Sequence, residues 1–296
     1  MNGRVSVIIP VYNRPAELAR ALSSLASQTQ PPWEVIVVDD GSQVDISGVV
    51  ARYESSLNVK FVRSENFGGP GRPRNIGADL AQGEWLSFLD CDDWWYSERM
   101  EVVSRSLTGL AGGLFHRLDR VVDGKPAGSR SGSVGSAFKG ELWRRILARG
   151  NPVPNSSVVV RRDAYRAVGG MSEDEAMISV EDVDCWIRLS KSGVKFRFID
   201  ASLGSYWVGA DGISRATRRQ FSAQRALYRA HRDGLCEPLA SDARSFHAYV
   251  MGTHCLNHAR KHRRAQAYLR IAALGRPSVV RIKAAVKLLC TLTRSR

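Results

Sequence analysis

This sequence predicts an α/β fold with a mostly parallel sheet and helices on both faces, on three observations. The apolar runs VSVIIPV (5–11) and VIVV (35–38) lack the in–out alternation of a half-exposed strand, so both their faces must be covered. Segments of helical period alternate with such runs at lengths that suit strand–helix–strand units. Acids and glycines gather directly after the runs, where open sheets of this kind bind ligands.

Taken in order, VSVIIPV is a strand buried on both faces. Pro15 suits a first helical position, and Leu18, Leu22 and Leu25 mark one face of a helix to about Gln28. VIVVDDGS (35–42) is a second buried strand ending in acids and a turn, and residues 59–62 form a third, weaker one. Pro73 opens a helix through Ala81, and residues 85–89 make a fourth strand. Asp93, ahead of WWYSERMEVV, suits a helix N-cap. Between Gly109 and Pro154 no period is clear, and residues 123–136 read as a mobile loop or hairpin. Order returns with the strand SSVVV (156–160), a helix over 162–168 and the turn Gly169-Gly170. EDVDCWIRLSKSG (181–193) is a helix with Trp186, Ile187 and Leu189 near its inner face and Gly193 as its C-cap. KFRFID (195–200) and LGSYWVG (203–209) are strands, and from Ile213 the chain is helical and rich in Arg and Ala. The expected organisation is an α/β unit over 1–212, with halves 1–105 and 106–212, and a basic helical region over 213–296.

At 296 residues, with 44% hydrophobic and 24% charged content, the chain reads as globular. No secretory signal or bilayer-spanning run is evident. Five scattered cysteines without a C-x-x-C pair suit a reducing cytoplasm. The charge is divided unevenly. Residues 215–296 hold 18 Lys and Arg against three acids, a net +15, whereas residues 1–214 hold 25 basic and 26 acidic groups, a net −1. No recognised module or aromatic platform accompanies the basic third, so nucleic acid is not an expected partner.

Four stretches offer chemistry. FLDCDDWW (88–95) sets Asp90, Asp92 and Asp93 at a strand end; Asp90 and Asp92 share a side of extended backbone, which makes sense around a cation. Asp39-Asp40-Gly41-Ser42 repeats the arrangement and can accept hydrogen bonds from a base or ribose, or simply make a turn. The glycines of NFGGPGRPRNIG (66–77), with Arg72 and Arg74 at a helix start, suit a diphosphate but match neither dinucleotide nor P-loop spacing. Glu181, Asp182 and Asp184 either complement a helix dipole or include a general base. His254, His258 and His262 recur on one helix face, but neighbouring Arg and Lys make a solvated basic face the better reading than a metal site.

In this order and spacing, VSVIIPVYNRP, EVIVVDDGS, ENFGGPGRPRNIGADLAQGEWLSFLDCDDWW and AVGGMSEDEAMISVEDVDCWIRL resemble a family 2 glycosyltransferase over about residues 4–208. The resemblance implies the GT-A fold, a nucleotide-sugar donor, a divalent Mn²⁺ or Mg²⁺ cofactor and inversion at the anomeric carbon. By position it places Pro10, Tyr12 and Asp40 around the nucleoside, Arg74 near the nucleotide or diphosphate, and Asp90 on the ribose side. It makes Asp92 the chief metal ligand with Asp93 supporting, and Asp182 the base. The implied reaction moves a sugar, from a UDP-sugar by expectation, to a hydroxyl of a glycan or lipid-linked saccharide in cell-surface polysaccharide synthesis. One departure stands out. Many relatives carry a His after the last core strand, where this chain has Gly209 within YWVGADGIS, with Trp207 at a neighbouring Arg place. Asp211 or water would then complete a metal shell. The rival expectation is a scaffold with impaired catalysis that binds glycan or a membrane surface.

The basic third is expected to hold the protein peripherally on an anionic membrane surface. In PSVVRIKAAVKLLCTL (277–292), Val279, Ile282, Val286 and Leu289 share one helical face with Lys283 and Lys287 beside it. The alternative is that this face packs on the catalytic unit.

Overall fold

The structure is a computed structural model that describes residues 3–107, 112–122, 124–131, 141–209, 218–257, 262–275 and 279–293. Its front half alternates strand and helix: β1 (Val5–Val11), α1 (Pro15–Ala26), β2 (Glu34–Asp39), α2 (Ser47–Ala51), β3 (Val59–Arg63), α3 (Gly71–Leu80) and β4 (Trp85–Phe88). The order β3-β2-β1-β4 is parallel throughout, with β1 between β2 and β4. Every residue of β1, β2 and β4 is buried, as their unbroken apolar reading requires. The pleat divides them: Val7, Ile9 and Val37 pack with Leu18, Leu22 and Leu25 of α1, while Ile8, Ile36 and Val38 pack with Ala78 of α3. On that second face α3 lies close, since a Cβ on Gly77 would stand 2.5 Å from Ile8 Cγ2.

The second half continues through β5 (Trp94–Trp95), α4 (Arg99–Leu107), β6 (Gly113–Val122), β7 (Lys125–Ser131), α5 (Leu142–Arg149), β8 (Val159–Arg161), α6 (Arg162–Ala167), α7 (Glu181–Lys191) and β9 (Phe196–Val208). Here the sheet is mixed. β8 runs antiparallel to both β4 and β6, β6 is parallel to β9, and β5 and β7 add antiparallel ladders. The hairpin alternative for residues 123–136 holds in its first part, with β6 and β7 paired around Gly124 at φ +76°. Three expectations are corrected. KFRFID and LGSYWVG are one strand, β9, whose pairing with β6 is interrupted by register shifts near His116 and Arg117. Ser156 and Ser157 lie in a 3₁₀ turn, and strand β8 starts only at Val159. Asp93 is not a helix cap: Trp94 and Trp95 are extended, and α4 opens at Arg99.

After β9 the chain is helical as expected, in α8 (Arg218–Arg232), α9 (Leu239–Asn257), α10 (His262–Ala273) and α11 (Val279–Thr293). The expected boundary at 212/213 lies outside the described residues. Ala223 and Leu227 of α8 and Ala243 of α9 join the cluster around Phe88 and Trp186, whereas Ala248, Leu269, Ala272 and Ala284 of α9, α10 and α11 form a smaller cluster of their own. His231 of α8 bonds Asp184 of α7 at 2.8 Å, a polar clamp within that contact. In α11 the buried residue is Ala284, while Ile282, Val286 and Leu289 are 66%, 55% and 63% exposed. Those three residues of the expected apolar face therefore point away from the protein. No described helix is long and apolar enough to cross a membrane.

Candidate active site

The candidate residues of the front half sit at or just beyond the carboxyl ends of β1, β2 and β4, except Arg74, which lies near the start of α3. Pro10 is buried inside β1, and Tyr12 follows that strand with 44% of its surface exposed. Asn13 turns the chain at φ +53°, with its N–H donated to Ser42 Oγ and its side-chain oxygen accepting from Gln43 N–H. The loops after β1 and β2 are thus tied together. Asp40 accepts from the N–H groups of Phe67 (2.8 Å) and Gly68 (3.2 Å), which pins the glycine-rich loop ahead of α3. Burial nonetheless raises the Asp40 carboxyl above the usual range. Gly41, at φ +74°, lies so close to Asn66 that a Cβ would stand 2.8 Å from its backbone nitrogen.

Arg74 is the hub. It is 4% exposed and spans two acids, Asp90 Oδ1 at 2.5 Å and Glu181 Oε1 at 2.7 Å. Both carboxylates raise its pKa further, against the pull of burial. The guanidinium is therefore turned inward between those acids in this structure and does not line an open diphosphate site; exposed Arg72, beside Phe67, and Arg219 of α8, which donates to the Gly68 carbonyl, are the cations found at that loop among the described residues. Asn155 Nδ2 also donates to Asp90 Oδ1, so among the described residues both hydrogen-bond partners of the Asp90 carboxylate use one oxygen and leave Oδ2 for a ligand. Glu181 Oε2 accepts from Ser179 N–H. Glu181 is an anchor, and its neighbour Asp182 remains the acid at the mouth of α7. Among the described residues the Asp182 carboxylate accepts only from Val183 N–H. Burial and the Glu181 charge push its carboxyl up to about 7, with Arg74 pulling the other way.

Asp92 makes an ion pair with Arg14 at 2.9 Å, each about a quarter exposed. Burial, then the charge of Asp90, raises the Asp92 carboxyl despite Arg14. Asp93 is buried and its two oxygens are taken by Ser156 Oγ (2.5 Å) and Trp207 N–H (2.8 Å). It braces the site from behind and has no oxygen left over. Arg20 donates to the Asp92 carbonyl while lying over the rings of Trp94 and Trp207. A Cβ at Gly209 would stand 2.5 Å from Trp207 Nε1, so the glycine leaves room for that indole. Asp211, the expected substitute ligand, lies outside the described residues, as does His258. His254 stacks on Phe221 with centroids 4.2 Å apart and so serves as a packing ring.

Sequence reasoning missed Arg14, Asn155, Ser156 and the Trp94–Arg20–Trp207 stack. NRP after β1 and PNSS before β8 were the visible signals. Among the described residues no group of three or more His, Cys, Asp or Glu is arranged to hold a metal. Asp92 with Asp90 Oδ2 is still a chemically suitable pair. Mg²⁺-type sites use one or two carboxylates and take their remaining oxygens from phosphate and water, and the crowding that raises Asp92 is what a cation would relieve.

Residues 6–129 match the family model described as Glycosyl transferase family 2. An uncharacterized glycosyltransferase of Haemophilus influenzae is 30% identical over 194 residues, 62% of this chain and 61% of that protein. The poly(ribitol-phosphate) beta-N-acetylglucosaminyltransferase TarS of Staphylococcus aureus is 41% identical over 101 residues, 33% of this chain and 18% of the relative. The chain thus spans less than two thirds of either relative's length. Among solved structures, S. aureus TarS 1-349 in complex with UDP-GlcNAc gives a TM-score of 0.65 at 20% identity, covering 97% of this chain and 89% of that one. The mannosyltransferase PcManGT from Pyrobaculum calidifontis, in complex with GDP-Man and Mn²⁺, gives 0.63 at 18% identity, covering 99% and 81%.

Proposed function

Since the chain carries a family 2 glycosyltransferase domain on the GT-A fold, we propose that it transfers a sugar, with inversion, from a UDP-sugar to a hydroxyl of a glycan or lipid-linked saccharide. The observation that carries this reading is the Asp90–Arg74–Glu181 chain, which ties the strand-end acids to the helix that presents Asp182. Tyr12, Asp40 and the loop it pins would border the nucleoside, and Arg72 would meet the diphosphate. Asp92, with Asp90 Oδ2, would hold Mn²⁺ or Mg²⁺, which supplies charge neutralisation for the leaving diphosphate. Asp182, poised near 7, takes the proton of the acceptor hydroxyl as its oxygen bonds the anomeric carbon. The bond from that carbon to the diphosphate oxygen breaks on the opposite face, and its electron pair leaves with the nucleotide. One carboxylate near the acceptor suffices, so no covalent glycosyl-enzyme is needed. The relatives, which include a poly(ribitol-phosphate) transferase and the hyaluronan synthase of Pasteurella multocida, favour a role in cell-surface polysaccharide synthesis.

Asp92→Ala tests the cation. The variant should melt no lower than the parent without ligand, because Asp92 sits in a crowded acidic cluster. Its thermal shift with UDP-sugars should lose the increment that Mn²⁺ gives the parent. An unchanged Mn²⁺ increment would move the cation elsewhere.

The exposed Ile282, Val286 and Leu289 of α11, beside Lys283, support peripheral binding to an anionic bilayer. Each cation near such a surface contributes about 1 kcal/mol, and the attraction is screened over about 10 Å at 0.1 M salt. The full chain should float with anionic liposomes at low salt and not with neutral ones. Replacing the three residues together by Ser should abolish flotation. Equal flotation on both lipids, or none lost in the triple variant, would contradict this placement.

A further inference from the structure

A cavity of about 290 Å³ opens between α5, α8 and α9, close to the lower end of the range for small-ligand sites, about 300–1,000 Å³. Its lining is mainly apolar, including Ile146, Leu147 and Leu227, and holds no acidic side chain. Two ring pairs form its walls, Phe221 on His254 at 4.2 Å and Tyr228 on His247 at 4.1 Å. Burial first, and then the charges of Arg225, Arg229 and Arg232, lower His247 to about 4. At neutral pH that ring is uncharged and belongs to the apolar wall. Arg225 and Arg229 are exposed, and neither forms an ion pair with a carboxylate among the described residues.

Two contacts place the cavity in the molecule. Val183, which lines it, donates its N–H to Asp182 at 2.8 Å, so the cavity wall and the base share one helical turn. Thr253, on the lining contributed by α9, accepts from Lys287 Nζ of α11 at 3.0 Å, the helix whose apolar ridge is exposed. The cavity therefore lies between the base and the surface proposed to meet lipid.

We propose that this cavity holds the hydrocarbon chain of a phosphate-linked acceptor, with its phosphate at Arg225 and Arg229 of α8, each next in sequence to a lining residue, Gln224 and Tyr228. The inference rests on the transferase reading and adds the acceptor's class: a single-chain lipid phosphate bearing the sugar hydroxyl that Asp182 deprotonates. An apolar chain gains by leaving water for the cavity. The unpaired arginines select for an anionic head over a neutral alcohol.

The test is calorimetry on the full chain, with decyl phosphate below its micellar range, decanol, inorganic phosphate and dioctanoyl phosphatidate. Decyl phosphate should bind one to one, and decanol and inorganic phosphate each at least about tenfold more weakly. Val250→Trp, which fills the cavity, and the pair Arg225→Glu with Arg229→Glu should each weaken decyl phosphate by about tenfold and leave UDP binding unchanged. Decanol binding as well as decyl phosphate, or both variants binding like the parent, would overturn the assignment. Equal binding of the two-chain phosphatidate would replace it with a bulk-lipid site. A chain that binds UDP-sugars and ignores decyl phosphate sinks the cavity proposal alone. One that binds decyl phosphate but no nucleotide-sugar sinks the transferase reading and the acceptor role with it.

Discussion

Asp182→Asn is expected to bind a UDP-sugar as tightly as the parent and to transfer sugar about 10²–10⁴-fold more slowly, the usual worth of a general base. The amide keeps the shape of the carboxylate and its bond from Val183 N–H, but it cannot take a proton. A pH profile separates a base from a merely structural acid. In the parent, transfer should rise with pH through about 7 as Asp182 ionises, and the Asn variant should lack that step. Stability should move the opposite way. The folded state raises Asp182 from 3.8 to about 7, so it binds more protons than the unfolded chain in that window. The contribution is full below the lower value and is lost as pH rises through the upper one. The Asn variant escapes that loss, and should melt above the parent at pH 8 with the gap closing near pH 4. Unchanged transfer would remove Asp182 from the mechanism. The alternatives are poor, since Glu181 is held by Arg74 and Ser179, and Asp184 by Arg188 and His231.

How far the sequence could be read follows from how each element is held. β1 and β2 are buried along their whole length, so their residues had to be apolar and their runs were plain. β6 was hidden for the opposite reason. Its GLFHRLDRVV is fully buried only at the start, and polar residues such as Arg117 and Asp119 interrupt the period where the strand meets solvent. β9 looked like two strands because its partnership with β6 shifts register in the middle. Within the site, types and positions were legible, and roles were less so. Asp93 carries the local signature of a cap, but its partners are Ser156 and Trp207, 63 and 114 residues away. Arg74 reads as a phosphate ligand at a helix start, yet Glu181, 107 residues on, draws it inward. Local spacing names the chemistry available, while long-range pairing decides which groups remain free to use it.

That pairing yields the second large effect. Arg74→Met should lower unfolding free energy by about 3–5 kcal/mol, the usual result of removing one partner from a buried ionic network. Met fills much of the volume, so the loss is chiefly electrostatic: Asp90 and buried Glu181 would face one another without the cation that now bridges them at 2.5 and 2.7 Å. Two further readouts distinguish this from a packing defect. The deficit should shrink as pH falls into the carboxylate range, because a neutral acid needs no counter-charge. Arg74→Lys should recover only part of the stability, since a single ammonium lacks the planar fork that reaches both acids. Urea unfolding at pH 5 and pH 8 measures all three proteins. Donor affinity should fall with stability, because Asp90 and the Asp182 helix lose the tie that sets their spacing. If Arg74→Met unfolds at the parent's urea midpoint at pH 8, the Asp90–Arg74–Glu181 chain is not what joins the two halves of the site.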